Sequence, residues 1–397
     1  MKVYILTREP FPIGMAATNR IICLAKAFCS TEMECKVIIF SRTYTSNSIP
    51  GMGVYDGVPY EYIGGSSLRA SGKRIAKLQS FLLMIKLLYF LRNRIHAGDV
   101  IYDFFGKPNS IKKIILGLVH KKGGVCVREL CEYPFGTGKE TKKIVKQREY
   151  ALNHLFPQYD GIVAISDTLV DLAKKHCSPT CIIQKVPILV DFAKYNLPDQ
   201  SSQASIPYIF HSGTLLEQKD GILGMIDAFG IATKQLCFPI KFICTGKKEK
   251  SPFSKEIDIL IEKYNLADNV VFTGYISDEE LKTYLKGASL CIINKYPNQQ
   301  NMFCFSTKLG EYMAAGKAVI ITRVGEAINW LEDKKDAIIV EPKDPQALAD
   351  AIVKLFTDKE LRQAIGNEAR NKCFQAFDLH NYGQPLNLFI SKIKEQH

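Results

Sequence analysis

Several features that would mark other protein classes are missing from this chain of 397 residues. Its twelve cysteines occur singly, without a Cys-x-x-Cys pair. This favours a reduced, cytosolic protein with buried thiols over a disulfide framework or zinc site. Val3–Leu6 is too short for the apolar core of a secretory signal, and Arg8 and Glu9 follow at once. Phe81–Leu91 is apolar but too short, and too interrupted by Lys86, to span a bilayer.

Short apolar runs alternate with helical patterns along the whole chain, which predicts parallel sheets covered by helices on both faces. The first runs are VYILT, CKVIIF, DVIYDFF, GVCVREL and DGIVAIS. The helical patterns between them are Ala16–Cys29, Arg74–Arg94, Ser110–His120, Lys139–Leu155 and Asp167–His176. After a polar seam at Val190–Ser205, the alternation restarts with PYIFHSGTL, KFICTG, NVVFTG, SLCIIN, KAVIIT and AIIVEP. Length also favours two domains, so we predict two doubly wound α/β halves, residues 1–190 and 191–377.

The stretch FSTKLGEYMAAGKAVIIT has an unusual charge at its start. A helix is predicted to begin at Ser306 or Thr307 and to end at Gly316, with a strand at Ala318–Ile321. Helices commonly carry acids in the first turn, where the dipole is positive, but this one carries Lys308. A bound phosphate would suit such a helix start.

Glu311 lies one turn further along this helix, on the same face as Thr307. It would be placed to accept hydrogen bonds from a sugar attached to such a phosphate. The alternative is that Lys308 is a solvated side chain and Glu311 a surface acid. HSGTLLEQKDGILGMIDAF adds Lys219 before another predicted helix, and KFICTGK adds the glycine loop at Gly246. Two lysines at strand-to-helix loops of one half indicate an anion bound between them.

Five motifs in this order resemble the nucleotide-sugar-binding half of family 4 glycosyltransferases, which are retaining enzymes of the GT-B fold. They are GTLLEQKDG, the TG after KFIC, VVFTGYISDEEL, STKLGEYMAAGKAVI and GEAINWLEDKKDAIIVEPKDPQALADAI. PIGMAATNR and RELCEYP resemble first-half loops of the same family. The resemblance implies two Rossmann-like domains that face a cleft. It also implies a C-terminal helix at about residues 378–397 that packs back on the first domain, for which Leu386, Leu388, Phe389 and Ile393 offer an apolar face.

The resemblance implies a donor site for a nucleotide-diphosphate sugar, without a cofactor or a metal, and the chain has no Asp-x-Asp to hold a divalent ion. The implied donor-binding residues are Gly14, Gly213, Thr214, Lys219, Gly246, Tyr275, Ile276, Phe305, Ser306, Thr307, Lys308 and Glu311. Lys219 would bind the diphosphate, Glu311 the ribose, and the backbone of Tyr275 and Ile276 the base. The chain departs from the family at two positions. Thr214 stands where the family has an arginine, and Phe303 where it has a first glutamate.

Catalysis requires stabilisation of the charge that builds on the leaving diphosphate and placement of an acceptor hydroxyl. The resemblance assigns the first task to Lys219. At the end of a strand, Glu129 is the candidate to face the reacting centre, and the alternative is a structural pair with Arg128. Asn19 and Glu132 are candidates for the acceptor side.

The net positive charge of the chain lies in the first half. Residues 1–190 hold 27 Lys and Arg against 14 Asp and Glu, a net of +13, whereas residues 191–397 have a net of −1. Seven basic residues and no acid lie in Arg69–Arg94. A basic, apolar helix is typical of a protein at an anionic membrane surface, and the alternative is a core helix with a basic rim. The chain has no recognisable nucleic-acid module.

We therefore expect a cytoplasmic glycosyltransferase, peripheral on the inner face of the plasma membrane, that acts on a glycan or lipid-linked glycan acceptor. Two alternatives use the same fold. One is a nucleotide-sugar epimerase or a phosphorylase. The other is a non-catalytic subunit that binds a nucleotide sugar or only a protein, a reading that Thr214 and Phe303 favour. Donor hydrolysis separates an enzyme from a binding module.

Overall fold

Two separate β-sheets organise the chain. The computed structural model describes residues 2–31, 33–45, 49–105, 110–135, 140–196, 198 and 200–396. Unit 1 comprises Met1–Leu189 and Leu379–His397, and unit 2 comprises Val190–Asp378. Within these described ranges, no helix combines the length and the apolar character needed to cross a bilayer.

Unit 1 contains an eight-stranded sheet with helices between its strands. Its strands are β1 (Lys2–Thr7), β2 (Glu34–Ile39), β3 (Met52–Tyr55), β4 (Val58–Tyr62), β5 (Val100–Phe104), β6 (Val125–Leu130), β7 (Gly161–Ala164) and β8 (Ile182–Lys185). Its first helices are α1 (Ala16–Cys29), α2 (Lys73–Arg94), α3 (Ser110–Lys121), α4 (Lys142–Tyr150) and α5 (Asp167–His176). A π-helical turn, Ala151–Leu155, continues α4. The strand order is β3-β4-β2-β1-β5-β6-β7-β8.

The sequence analysis missed β8 and the β3–β4 hairpin, in which Tyr55 pairs with Val58 in the antiparallel sense. The hairpin turn is formed by Asp56 and Gly57, whose φ angles are 51° and 79°. An Asp-Gly pair between short strands is a strong hairpin signal, because both turn residues need positive φ. That signal was available in the sequence.

Unit 2 contains a six-stranded sheet. Its strands are β9 (Tyr208–His211), β10 (Lys241–Cys244), β11 (Val270–Phe272), β12 (Leu290–Ile293), β13 (Ala318–Thr322) and β14 (Ile338–Val340). Its helices are α6 (Glu217–Asp220), α7 (Ile222–Thr233), α8 (Ser254–Tyr264), α9 (Asp278–Gly287), α10 (Gln299–Phe303), α11 (Thr307–Ala314), α12 (Pro345–Thr357) and α13 (Lys359–Ala376). The strands pair in parallel in the order β11-β10-β9-β12-β13-β14. Continuous apolar runs such as AVIIT in β13 are buried at every residue, as expected when helices cover both faces. The predicted fold class, two Rossmann-like α/β domains, is confirmed.

The last helix, α14 (Gly383–Lys394), belongs to the core of unit 1. Leu386, Phe389 and Ile393 are buried in the same apolar cluster as residues of β1 and α1. A Cβ atom at Gly161 in β7 would collide with Phe389 at 2.7 Å, so this glycine permits the close approach of α14. Leu388, which the sequence analysis placed on the buried face, is exposed. The reason is that it lies about 200° around the helix from Leu386.

Candidate donor-phosphate site

Each sheet has one point where the strand order changes direction. In unit 1 it lies between β1 and β5, and in unit 2 between β9 and β12. Loops after the carboxyl ends of strands diverge there, which leaves a crevice where ligands bind in open α/β sheets. Functional side chains are therefore expected in the loops at these two points.

Gly14 and Asn19 follow β1 in unit 1. A Cβ atom at Gly14 would collide with the side chain of Thr18, whose hydroxyl donates a hydrogen bond to the Pro10 carbonyl over 2.6 Å. Gly14 is exposed, and half-buried Asn19 lies in the first turn of α1. The packing against Thr18 thus requires a glycine at position 14, and the role of Gly14 in a diphosphate-binding loop stays a prediction.

Glu129 does not face an open centre, and this corrects our expectation for it. The residue is only 3% exposed, and its Oε1 atom accepts hydrogen bonds from Nε and Nη2 of Arg20 at 3.1 and 3.0 Å. Oε2 accepts a hydrogen bond from the Tyr102 hydroxyl. The alternative, a structural pair of Glu129 with Arg128, is also wrong. Arg128 pairs with Asp103 at 2.8 Å. Glu129 therefore fixes α1 to the sheet and is not retained as a catalytic candidate.

A different pair of carboxylates lies at the carboxyl edge of this sheet. Glu132 is exposed after β6, and half-buried Glu9 follows β1. Burial raises the pKa of Glu9, and the negative charge of Glu132 acts in the same direction. Glu132 stays an acceptor-side candidate, and Glu9, which the sequence analysis did not single out, joins it.

In unit 2, loops from three neighbouring strands are held together by backbone contacts. The Gly213 N–H, after β9, donates to the Thr245 hydroxyl oxygen at 2.8 Å, after β10. Gly246 and Gly274 exchange backbone hydrogen bonds of 2.7 and 3.2 Å, which adds the loop after β11. Exposed Tyr275 and half-buried Ile276 follow directly on that loop. Gly213, Gly246 and the proposed base clamp therefore belong to one surface of unit 2.

Asp220 anchors the Gly213 loop to the start of α11. Its Oδ2 atom accepts hydrogen bonds from the Thr214 N–H at 3.0 Å and the Thr214 hydroxyl at 2.8 Å. Its Oδ1 atom pairs with the Lys308 ammonium. A Cβ atom at Gly213 would lie 3.0 Å from Lys308 Nζ and 3.1 Å from Asp220 Oδ2, so a larger residue would press on this pair. Lys308 is consequently neither simply solvated nor unpaired.

Positive charge exceeds negative charge around this pair. Burial lowers the pKa of Lys308, and the charges of Lys295 and Lys219 act in the same direction against Asp220. Buried Lys295, just after β12, donates to Asn301 Oδ1 at 3.2 Å. Within the described chain, the Lys219 ammonium has no hydrogen-bond or ion-pair partner. The three lysines against one carboxylate leave a surplus that an anion would neutralise.

His211 adds a polar atom that the fold leaves unsatisfied. The side chain is 1% exposed, and its Nδ1 atom lies 2.9 Å from the Ile292 carbonyl oxygen, to which it donates. Nε2, on the side of Gly213, has no hydrogen-bond partner among the described residues. Burial lowers the pKa of His211 to about 4, and the charge of Lys308 acts in the same direction. His211 is therefore neutral at pH 7, with its lone pair on Nε2.

The start of α11 is also open to an anion. As predicted, Ser306 is the N-cap and the helix begins at Thr307, without an acid in its first turn. The Ser306 side chain makes no capping hydrogen bond in the part of the chain that the structure describes. Orphan N–H groups at a helix start carry partial positive charge. Glu311, half-buried, follows one turn later, while buried Phe305 packs edge-on against Phe377 with ring centroids 5.6 Å apart.

Residues 198–372 match a family model described as glycosyl transferases group 1. This segment, less than half of the chain, is similar to the group 1 glycosyltransferases. The capsular polysaccharide biosynthesis glycosyltransferase CapM of Staphylococcus aureus is 29% identical over 176 residues, 43% of this chain and 42% of CapM. In two relatives from Methanocaldococcus jannaschii the matched segment covers 34% and 40% of the relative. This chain thus spans about a third to two fifths of the length of these curated relatives.

Solved structures share the fold over the full chain. A sucrose-phosphate synthase from Thermosynechococcus elongatus superposes with a TM-score of 0.73 at 15% identity, covering 100% of both chains. HepE of Anabaena, solved in complex with UDP-glucose, superposes with a TM-score of 0.71 at 17% identity, covering 98% of this chain and 99% of that one.

One cluster of possible metal ligands lies away from the glycosyltransferase motifs. His120, Cys126 and Asp160 place ligand atoms within 4.8 Å of one another in unit 1. Asp160 Oδ2 is already engaged by His120 Nε2 at 2.9 Å and by the Cys126 N–H at 2.6 Å. Cys126 is near the start of β6 and Asp160 precedes β7, so the cluster lies at the amino edge of the sheet, opposite the candidate crevice.

Proposed function

We propose that this protein transfers a sugar from a nucleotide-diphosphate sugar to a glycan or lipid-linked glycan, in polysaccharide or glycolipid biosynthesis. The observation that carries the proposal is the excess of positive charge around the Asp220–Lys308 pair at the start of α11, where the Ser306 side chain makes no capping hydrogen bond among the described residues. This pair lies inside the segment that matches the group 1 glycosyltransferase model. CapM is described as an enzyme of capsular polysaccharide biosynthesis, and HepE was solved in complex with UDP-glucose. Both support a nucleotide sugar as donor and a glycan as acceptor.

In the proposed reaction the bond between the sugar and the diphosphate breaks, and negative charge builds on the leaving diphosphate. Lys219 is the group best placed to follow that charge, because its ammonium is uncommitted while Lys308 is held by Asp220. The N–H groups at the start of α11 add fixed positive charge that needs no reorganisation during the reaction. Glu311, one turn along, is proposed to accept hydrogen bonds from the ribose.

We further propose that the transfer needs no divalent metal, because the lysines and the helix start supply the positive charge. We also propose that it retains the anomeric configuration, which rests on the resemblance to family 4 glycosyltransferases. NMR of the product gives its anomeric configuration. Activity measured with and without EDTA tests the requirement for a metal. An inverted product, or activity lost in EDTA and restored by added Mg²⁺ or Mn²⁺, would contradict these two points.

Donor binding is tested by calorimetry with UDP-, GDP- and ADP-linked sugars, chosen after a thermal-shift screen. Lys219→Ala removes a charge-assisted contact of about 1.5–3 kcal/mol, which corresponds to a loss of affinity of roughly tenfold or more. Glu311→Gln weakens binding of the nucleotide sugar but leaves binding of inorganic pyrophosphate unchanged. Lys255→Ala, at an exposed lysine of α8, is the matched control. Unchanged donor affinity in both Lys219→Ala and Glu311→Gln would overturn this assignment of the site.

A non-catalytic nucleotide-sugar-binding subunit is the second candidate. Its support is that Thr214, where the family has an arginine, commits both its N–H and its hydroxyl to Asp220. Phe303, at the position of the family's first glutamate, ends α10 without offering a carboxylate. Hydrolysis of a bound donor by the wild-type chain, abolished by Lys219→Ala, would exclude this second candidate. Binding without hydrolysis or transfer across the donor panel would favour it.

A further inference from the structure

Helix α2 has two apolar faces, of which the core uses one. Leu83, Leu87, Phe90 and Leu91 are buried, and Phe90 packs edge-on against Tyr4 of β1 with ring centroids 5.5 Å apart. These four side chains lie on one side of the helix, since successive residues are about 100° apart. The helix is thus core-facing, as the alternative of a core helix with a basic rim expected, but these four residues account for only one of its sides.

The second face is an exposed apolar stripe. Each of its six side chains is 49–71% exposed. The α2 stripe consists of Ile75, Leu78, Phe81, Leu82, Ile85 and Tyr89. At about 100° per residue these six fall within an arc of about 120°, centred opposite the buried face. With a rise of 1.5 Å per residue the stripe is about 21 Å long. An exposed apolar patch of this kind marks an interaction site.

Basic side chains surround the stripe. Lys77 and Lys86 lie on its two borders, and Arg74 and Arg92 lie within its arc near the two ends, on the same helical reckoning. All four are exposed. No acidic residue occurs between Arg69 and Arg94, so every charged side chain of α2 itself is basic.

The charges decide between the possible occupants. A second copy of the chain that packed through α2 would bring one acid-free basic helix against another, and like charges would repel. An anionic lipid surface offers both an apolar layer and headgroup phosphates that attract Lys and Arg. Long basic side chains at the border of an apolar face can keep their charges at the headgroups while their stems lie on the apolar layer.

We propose that the α2 stripe docks unit 1 on an anionic lipid surface, with the apolar side chains at the boundary of headgroups and acyl chains. Lys77 and Lys86 then lie at the level of the lipid phosphates. The docking concerns unit 1 and does not depend on binding of the nucleotide sugar, whose proposed site lies in unit 2. Loss of one function therefore leaves the other measurable.

The test is flotation of the full chain with phosphatidylcholine vesicles, with or without about a quarter phosphatidylglycerol. Wild-type protein should float with the anionic vesicles at low salt, at least tenfold better than with neutral ones, and less as salt screens the charges. The double variants Phe81→Ser/Ile85→Ser and Lys77→Glu/Lys86→Glu should each reduce flotation at least tenfold. Ile259→Ser and Lys255→Glu, at exposed positions of α8, are the matched controls and should float as wild type.

Two further measurements decide whether the stripe itself enters the lipid. Phe81→Trp should show blue-shifted fluorescence on anionic vesicles, against a constant background from Trp330, the single tryptophan of the chain. Light scattering follows the oligomeric state. Failure of the wild type to bind anionic vesicles at low salt would overturn the proposal. Variants of the α2 stripe that float normally would also overturn it. So would a wild-type dimer that the Phe81→Ser/Ile85→Ser substitutions dissociate.

Discussion

The ion pair between Asp220 and Lys308 should stabilise unit 2 cooperatively, and a double-mutant cycle can show it. The Asp220 side chain is 2% exposed and that of Lys308 is 19% exposed. Lys308→Met leaves a buried carboxylate whose remaining hydrogen bonds, among the described residues, come from Thr214. This should cost about 3–5 kcal/mol in the free energy of unfolding. Asp220→Asn should cost about 2–3 kcal/mol, because the partly exposed ammonium can turn to water.

The double variant Asp220→Asn/Lys308→Met should lose less stability than the two single variants together, by at least about 1 kcal/mol. The assay is urea unfolding followed by fluorescence of Trp330, whose ring centroid lies 5.4 Å from that of Phe377 in unit 2. Because this is the single tryptophan, the signal reports on unit 2. Destabilisation of the double variant by the full sum of the single effects would refute the cooperative pair.

Two other predictions concern buried groups. Folding lowers the pKa of His211 to about 4, so the folded state binds fewer protons than the unfolded state below pH of about 6.5. The free energy of unfolding should therefore fall by about 3 kcal/mol as pH drops from about 6.5 to 4. In His211→Gln, the free energy of unfolding, measured with urea at a series of pH values, should depend less on pH over this range. An equally steep dependence in the variant would contradict the assignment of this effect to His211. Arg20→Met should leave the buried carboxylate of Glu129 without its ion-pair partner. The free energy of unfolding should fall by about 3–5 kcal/mol. Calorimetry of the full chain measures this, and wild-type stability would show that the pair is not needed.

Local patterns in the sequence were sufficient for most of the elements. Three features follow from residues within a few positions of one another. They are the N-cap at Ser306, the left-handed Gly316 (φ of 69°) just after the C-cap of α11, and strand β13. An uninterrupted apolar run, or a switch between helical and strand periodicity of apolar residues, is a local signal. It predicts the element correctly because the same apolar residues are buried in the core of the fold. The missed β3–β4 hairpin had a local signal as well, at Asp56 and Gly57.

The partners of the charged side chains were not predictable in the same way. Arg20 and Glu129 are 109 positions apart, and Lys308 and Asp220 are 88 positions apart. Which side chains meet depends on strand order, since β1 lies beside β5 and β9 beside β12. A charge at a strand end could therefore be noticed in the sequence, but its partner could not. The unsatisfied nitrogen of His211 and the buried ammonium of Lys295 were missed for the same reason.

The position of α14 has a consequence for synthesis on the ribosome. Leu386, Phe389, Ile390 and Ile393 are part of the unit 1 core, yet they are translated after the whole of unit 2. At 5–20 residues per second, the roughly 190 intervening residues take about 10–40 s to make. Throughout that interval the nascent first unit exposes the apolar groove that α14 later fills, around Gly161 of β7. Unit 1 thus emerges first but is completed only after unit 2. In the interval, its exposed apolar groove offers a binding surface to a chaperone.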